Sequence, residues 1–470
     1  MLDLSAFAGY RPVEMFGSVD FPPVGELPYL LTLGPHNFYW FQMVPVAGQE
    51  PGSEVPHHDL PQLACRGSWE QLLAPGARAA VEEILPGYLM ARRWFGSKSR
   101  RLKNVAVTDA VRIVYSGGVA VLLTIGCEYI EGDSDTYVLP LTFAAGSEAE
   151  EVLRNPAAGV LCRVAGSGEP GVLYDAMADA EFAESLLDAI GRRRRYRGER
   201  GVVNAHPGHN FLRLAGVDGV RLDASLGKAE QSNNSVIFGE RLIMKLFRRI
   251  EDGINPDLEV SRFLTERANF PNIAPLAGSL DYRFQDGRTG TLGMLQGYVP
   301  NQGDAWTFTL AQLERYLAHP NALDDYLERI AVLGRRTAEL HLALASDSED
   351  PAFAPAPSTM LDQRSVYQSV RSQAIQVMSL LRMRLPESVR DDAKHVVSLE
   401  AELMGSLKAL IQQPITATRI RTHGDYHLGQ VLWTGGDFVI IDFEGEPARP
   451  LADRRLKRWP LRDVAGMLRS

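Results

Sequence analysis

Cysteine is scarce in this sequence: Cys65, Cys127 and Cys162 stand far apart, with no Cys-x-x-Cys pair. An odd, scattered set supports neither a disulfide framework nor a thiolate metal site, and it points to a cytoplasmic protein. Long apolar runs are missing too. The most apolar stretch, residues 119–130, is short and ends in Glu128 and Tyr129, so it reads as a strand and not a membrane span. The N-terminus has no basic region leading into a long apolar core, so no signal peptide is expected. Positive charge is not in excess: 49 Lys and Arg stand against 58 Asp and Glu, a net charge of -9, which favours neither nucleic acid nor an anionic membrane as partner. The one basic run, Arg192 to Arg195 with Arg197 and Arg200, follows a helical pattern (Phe182, Leu186, Leu187, Ile190). It reads first as a solvated helix end and linker, and only second as a phosphate contact. No internal repeat is visible.

What is present suits a soluble globular chain of several units: 470 residues, 45% hydrophobic and 23% charged, with 42 Gly and 28 Pro to supply turns. Residues 1–46 carry strand-like segments at 29–33 and 38–43 that are too few to bury a core alone. Residues 47–80 have the Pro and Gly composition of a linker. A mostly β unit follows over 81–198, with strands at 105–115, 119–130 and 136–143 and a closing helix at 181–191. Residues 199–300 are strand-rich, and 301–470 are helical (310–317, 323–344, 366–385, 393–410). The fold class is α+β, a small β lobe followed by a larger helical lobe, which is one way of setting a nucleotide in a cleft.

The chemistry concentrates in His423-Gly424-Asp425-Tyr426-His427-Leu428-Gly429-Gln430, followed by a hairpin whose apolar strand Val439-Ile440-Ile441 runs into Asp442. Phosphoryl transfer needs a carboxylate to orient and deprotonate the attacking hydroxyl and hard oxygen ligands to hold Mg²⁺ against the phosphates. By their resemblance to the spacing seen in protein kinases, Asp425 would be the base, with Gln430 and Asp442 the metal ligands. The blander reading, capping carboxylates in a generic turn, is disfavoured because the strand must deliver Asp442 to its end, where sites form.

Upstream, Lys245 is flanked by apolar residues in Leu242-Ile243-Met244-Lys245-Leu246-Phe247, and a buried ammonium needs an anion. ATP phosphates and Glu259, on a helix capped by Asn255 with Pro256 in its first turn and Phe263 marking the inward face, are the candidates; taken alone, Lys245 is equally an edge lysine snorkelling to water. Gln231, Ser232, Asn233, Asn234 and Ser235 stand where a phosphate loop would lie, without G-x-G-x-x-G; a plain hairpin is the alternative. Gln296 and Tyr298 end an apolar strand that could offer backbone groups to adenine. Asp304 reads as a helix N-cap before a substrate contact, and Trp306 as packing before a sugar platform.

The spacing of Asp425, Gln430 and Asp442 resembles that of protein kinases, with Gln in place of the usual Asn. The chain from about residue 85 resembles the maltokinases, members of the aminoglycoside-phosphotransferase and protein-kinase-like superfamily. The match rests on Ala91-Arg92-Arg93-Trp94-Phe95-Gly96-Ser97-Lys98, His423 to Gln430, Asp442-Phe443-Glu444-Gly445-Glu446-Pro447 and Pro460-Leu461-Arg462-Asp463-Val464-Ala465-Gly466-Met467-Leu468. Pro12 to Gly17, Gly25 to Tyr29 and Phe38 to Phe41 resemble the last strands of trehalose synthases. The resemblance implies a bilobal kinase-like fold behind an N-terminal cap, ATP and Mg²⁺ as cofactors, and transfer of the γ-phosphate to maltose, giving maltose 1-phosphate for α-glucan synthesis. It also implies fusion to or association with trehalose synthase. His427, Glu444, Glu446 and Arg449 are candidate sugar contacts, surface ion pairing being the blander account of the last three. The final helical pattern stops at Ser470, where the family continues, so the large lobe is expected to be incomplete. Two rivals stay open: a small-molecule kinase of the aminoglycoside or choline type, and a catalytically incomplete module attached to trehalose synthase.

Overall fold

A computed structural model describes residues 10–14, 41–45, 60–98, 100–166, 169–216, 222–226, 234–319, 323–382, 389–446 and 449–470. At the start, β1 (Tyr10–Glu14) and β2 (Phe41–Pro45) pair antiparallel.

The first sheet is built from β3 (Gln62–Cys65), α1 (Ala79–Ala91), β4 (Leu102–Tyr115), β5 (Gly118–Tyr129), β6 (Asp135–Ala145), α2 (Gly146–Arg154), β7 (Val160–Gly166), β8 (Gly171–Asp175) and α3 (Ala180–Gly191), with strand order β3-β7-β8-β6-β5-β4. The β4–β5 turn is tight because Tyr115 pairs with Gly118, which takes φ 138° where a side chain would be strained. One face of the sheet packs α1 through Val81, Leu85 and Leu89. The other packs α3, started by the Asp179 cap, through Phe182, Leu186 and Ile190. Each such buried side chain contributes about 1.5–3 kcal/mol over leaving it in water. The linker expected up to residue 80 is corrected here: Leu63, Cys65, Leu72 and Leu73 are buried in this core, and β3 pairs in parallel with β7. A parallel partner so distant in sequence leaves no local signal.

The second sheet comprises β9 (Arg195–Arg197), β10 (Val202–Pro207), β11 (Ala224–Leu226), β12 (Asn234–Phe238), β13 (Leu242–Leu246), β15 (Leu276–Arg283) and β16 (Thr289–Gly297), in order β11-β12-β13-β16-β15-β10-β9. A short α4 (Phe211–Ala215) follows β10, and α5 (Pro256–Glu266) precedes β15. Between them β14 (Arg249–Ile250) crosses to pair with β6 of the first sheet. Beside it the buried Arg248 ties the sheets: its Nε donates to Asn234 Oδ1 at 2.8 Å, its Nη2 meets Asp175 Oδ2 at 2.5 Å, and its guanidinium stacks over Trp94 at 5.0 Å. So the basic run ends in the edge strand β9, and Arg192 and Arg194 both pair with Asp188.

The remainder is helical: α6 (Ala305–Ala318), α7 (Leu323–Leu344), α8 (Met360–Leu381), α9 (Arg390–Ser398), α10 (Glu400–Gln412), α11 (Leu451–Arg454) and α12 (Leu461–Arg469), with small strand pairs β17 (Ala356–Pro357) with β18 (Thr418–Arg419) and β19 (Val431–Trp433) with β20 (Phe438–Ile440). The Thr359–Asp362 capping box starts α8 earlier than its apolar pattern suggests, and the single helix expected over 393–410 is two. From the strand-rich half, α5 inserts Phe263 into this helical core, where it stacks on Phe353 at 3.7 Å. Among the described residues no helix is long and apolar enough to cross a membrane.

Candidate active site

On β13, Leu242, Met244 and Leu246 point into the core, so alternation turns Lys245 to the opposite face. Its Nζ meets three carboxylates: Asp442 Oδ1 at 2.6 Å, Glu444 Oε1 at 2.7 Å and Asp257 Oδ2 at 3.1 Å. Burial would lower the lysine pKa, but the three acids hold it well above its ordinary value. Burial works against ionised Asp442, yet Lys245 together with His423 and the Gln430 hydrogen bond outweighs it and keeps that carboxyl below its usual range. Glu444 goes the other way, raised by burial and by Asp442 and Asp257 despite Lys245.

The hairpin β19–β20 returns the chain so that Gln430 Nε2 donates to Asp442 Oδ2 at 2.9 Å, leaving the Gln430 carbonyl oxygen for another partner. The His423 ring bonds the Ile441 carbonyl through Nε2 at 2.9 Å and accepts the Asp425 amide at Nδ1 at 3.4 Å, so the loop carrying Asp425 is clamped to the strand that delivers Asp442. Gly424 takes φ 87°, and a Cβ there would lie 3.2 Å from Gly445. Among the described residues, the Asp425 carboxylate has no hydrogen-bond or ion-pair partner. Asp257, Asp442 and Glu444 offer carboxylate oxygens within 4.8 Å of one another. With the Gln430 carbonyl these are hard donors of the kind Mg²⁺ takes.

The pairing of Lys245 with Glu259 is corrected. Asn255 caps α5 and Pro256 follows it, as expected, but Asp257 is the helix residue that reaches Lys245, while its other oxygen accepts the Phe443 amide at 3.0 Å. Glu259 faces elsewhere and pairs with Arg421 at 2.9 Å and Arg455 at 2.5 Å. Residues two apart on a helix do not share a face, and Phe263, one turn beyond Glu259, points into the helical lobe's core instead of toward β13.

The other sequence candidates fall as follows. Asn234 holds Arg248, and Ser235 lies opposite Lys245 in the β12–β13 register. Gln231, Ser232 and Asn233 lie outside the described residues. Gln296 donates toward Ser261 and the Ala274 carbonyl, and the Tyr298 amide already donates to Arg241, so that N–H is not offered to a base. Asp304 caps α6 through the Thr307 amide at 2.7 Å, and His427 caps the turn at Leu428–Gln430. Glu446 joins Arg449 at 2.5 Å and Arg462 at 3.5 Å.

Two residues escape the sequence reading. Asp257 is masked by the more obvious Glu259. Asp463, 1% exposed on α12, accepts the His423 amide at 2.8 Å, the Gly424 amide at 3.0 Å and His341 Nε2 at 3.0 Å, and so positions the loop. Its signal was a lone acid inside the apolar pattern of Leu461, Val464, Ala465 and Leu468.

A strand lysine, a loop aspartate and a strand-end aspartate with its amide neighbour, set between a β lobe and a helical lobe, are the features of a kinase-like phosphotransferase fold. Residues 228–445 match the phosphotransferase enzyme family, residues 88–179 the maltokinase N-terminal cap domain, and residues 1–40 the maltogenic amylase C-terminal domain. The kinase-like part of the chain thus resembles the phosphotransferase enzyme family, and a segment similar to the maltokinase cap precedes it. A glucosamine kinase of Mycolicibacterium smegmatis is 27% identical over 298 residues, 61% of this chain and 66% of that one, so the match spans slightly less than two thirds of that relative. A trehalose synthase of Thermus thermophilus is 28% identical over 376 residues, 73% of this chain and 35% of that one. The solved structure of a glucosamine kinase in complex with glucosamine, ADP and inorganic phosphate aligns with a TM-score of 0.53 at 19% identity, covering 81% of this chain and 77% of that one, a likeness of fold.

Proposed function

We propose that this chain is an ATP-dependent sugar kinase whose acceptor is maltose, phosphorylated at its reducing-end hydroxyl. The observation that carries the reading is the 2.6 Å contact between Lys245 and Asp442, which brings a strand lysine and a strand-end carboxylate together across the cleft. Asp425 takes the proton of the attacking hydroxyl as its oxygen bonds to the γ-phosphorus and ADP departs. Lys245 holds the ATP phosphates. Gln430, Asp442, and the carboxylates of Asp257 and Glu444 would hold Mg²⁺, which when bound offsets phosphate charge. Maltose is favoured by the maltokinase cap match, and a working association with trehalose synthase by the match of residues 1–40 and by a relative named trehalose synthase that aligns with most of this chain.

A second reading, glucosamine as acceptor, is favoured by the curated relative of that name. Incubation with ATP, Mg²⁺ and separate maltose, glucose, trehalose, glucosamine and aminoglycoside acceptors, with products read by mass spectrometry, decides between them. The maltose reading expects a maltose monophosphate; phosphate on glucosamine or on the aminoglycosides alone rejects it. No nucleotide binding and no turnover would leave a non-catalytic partner module.

A further inference from the structure

Helix α5 carries a second row of side chains, turned away from the transfer centre. Leu258, Arg262 and Glu266 follow one another at four-residue spacing and so share one face, while Asp257, one residue before the row, reaches Lys245. All three line a cavity of about 430 Å³, within the range of small-molecule sites. From β10 and β15 the same cavity receives His206, Ser279 and Asp281, with His206 directly opposite Ser279 in the strand register. Its apolar part is Ile254, Leu258 and Leu276, which pack in one small cluster. The polar lining is incompletely matched. Among the described residues the Ser279 hydroxyl has no hydrogen-bond partner although the residue is only 4% exposed, and the Arg262 guanidinium makes no hydrogen bond or ion pair. Arg262 and Glu266 stand one helical turn apart, a spacing at which opposite charges ordinarily close on each other, yet these two do not. Glu266 Oε1 lies instead 3.6 Å from His209 Nδ1, and Asp281 meets His206 Nε2 and accepts from Asn204 Nδ2 at 2.9 Å. A histidine partner offsets a carboxylate's charge only while it is protonated. One wall of the cavity therefore lacks an anion and another lacks a cation.

We propose that this cavity binds a free α-amino acid with an apolar side chain, at a site separate from the nucleotide centre at Lys245. The ligand's carboxylate goes to Arg262 and the Ser279 hydroxyl, the donors that have no acceptor; a guanidinium fork suits a two-oxygen acceptor. Its ammonium, on the adjacent carbon, goes to Glu266, one turn from Arg262. Its side chain covers Ile254, Leu258 and Leu276. A plain carboxylate would add negative charge beside Glu266 and Asp281, and a plain amine would add positive charge beside Arg262; a zwitterion avoids both costs. Access is open at the rim, where the His209 side chain is 85% exposed. The site does not depend on which sugar the transfer centre phosphorylates.

The test is calorimetric titration of the nucleotide-free full chain with L-leucine and, separately, with isocaproate, which lacks the ammonium, and isoamylamine, which lacks the carboxylate. Saturable binding of leucine is expected, with each analogue weaker by about tenfold or more. The same loss is expected for leucine in Arg262→Gln and in Glu266→Gln, with binding retained in Lys245→Met. Absence of saturable leucine binding, an analogue that binds as tightly as leucine, affinity unchanged in both α5 variants, or loss only in Lys245→Met would each overturn the site. Thermal unfolding of each variant reports folding. Arg262 is half-buried and has no side-chain partner among the described residues to lose, so Arg262→Gln carries the test if Glu266→Gln does not fold.

Discussion

Asp442 sits in the left-handed backbone region, φ 66°, which costs a non-glycine residue roughly 1–2 kcal/mol. Its bonds to Lys245 and Gln430 hold it there. That Gln430 and Asp442 meet was legible in the sequence, because a short hairpin joins them and local structure decides their spacing. The partner of Lys245 was not, because choosing between Asp257 and Glu259 needs the rotation of α5, which its packing sets. Two predictions belong at this scale. Asp425→Asn should lower turnover by roughly 10² to 10⁴ while circular dichroism and thermal unfolding stay as in the parent, as for loss of a general base. Asp463 is held below its usual carboxyl range, burial being overcome by His341, His423 and two backbone amides. A depressed folded pKa stabilises above the unfolded value of about 3.9 and ceases to as pH falls through the folded one. Asp463→Asn should therefore cost about 1.5–3 kcal/mol at pH 7 in chemical denaturation, with the gap to the parent closing in strong acid.

Helix α5 works with two acidic faces. Asp257 ties it to Lys245 and Phe443, and Glu259 ties it to the buried Arg421 ahead of the His423 loop. Removing Glu259 strands a guanidinium that is 2% exposed, so Glu259→Ala should destabilise by about 3–5 kcal/mol, read from denaturant midpoints. Asp257→Ala leaves that pair intact and should instead raise the KM for Mg·ATP. A larger stability loss from Asp257→Ala than from Glu259→Ala would contradict this division. The strands and α3 were readable from alternation and capping, whereas β3 was not, since its partner is remote. Equally hidden was Arg248, whose partners come from both sheets. Arg248→Ala should cost about 3–5 kcal/mol and lower hydrogen-exchange protection in β6 and β12 together.

Across the whole molecule, the first sheet is bound to the second through β14 and Arg248, and the second to the helical lobe through α5, so the sheet similar to the maltokinase cap is continuous with the strand that carries Lys245. The order of a β unit, a β lobe and a helical lobe was visible in composition and periodicity; how they lock together rests on contacts between residues far apart in sequence. The account's central claim is that phosphate moves from ATP to a sugar hydroxyl at the place where Lys245 meets Asp442. Phosphorus-31 NMR of the full chain with ATP, Mg²⁺ and maltose tests it most directly, run beside the Asp442→Asn variant. The account predicts ADP and a sugar 1-phosphate signal that the variant does not produce. No new phosphate ester from the parent chain, or the same ester at the same rate from Asp442→Asn, would contradict it.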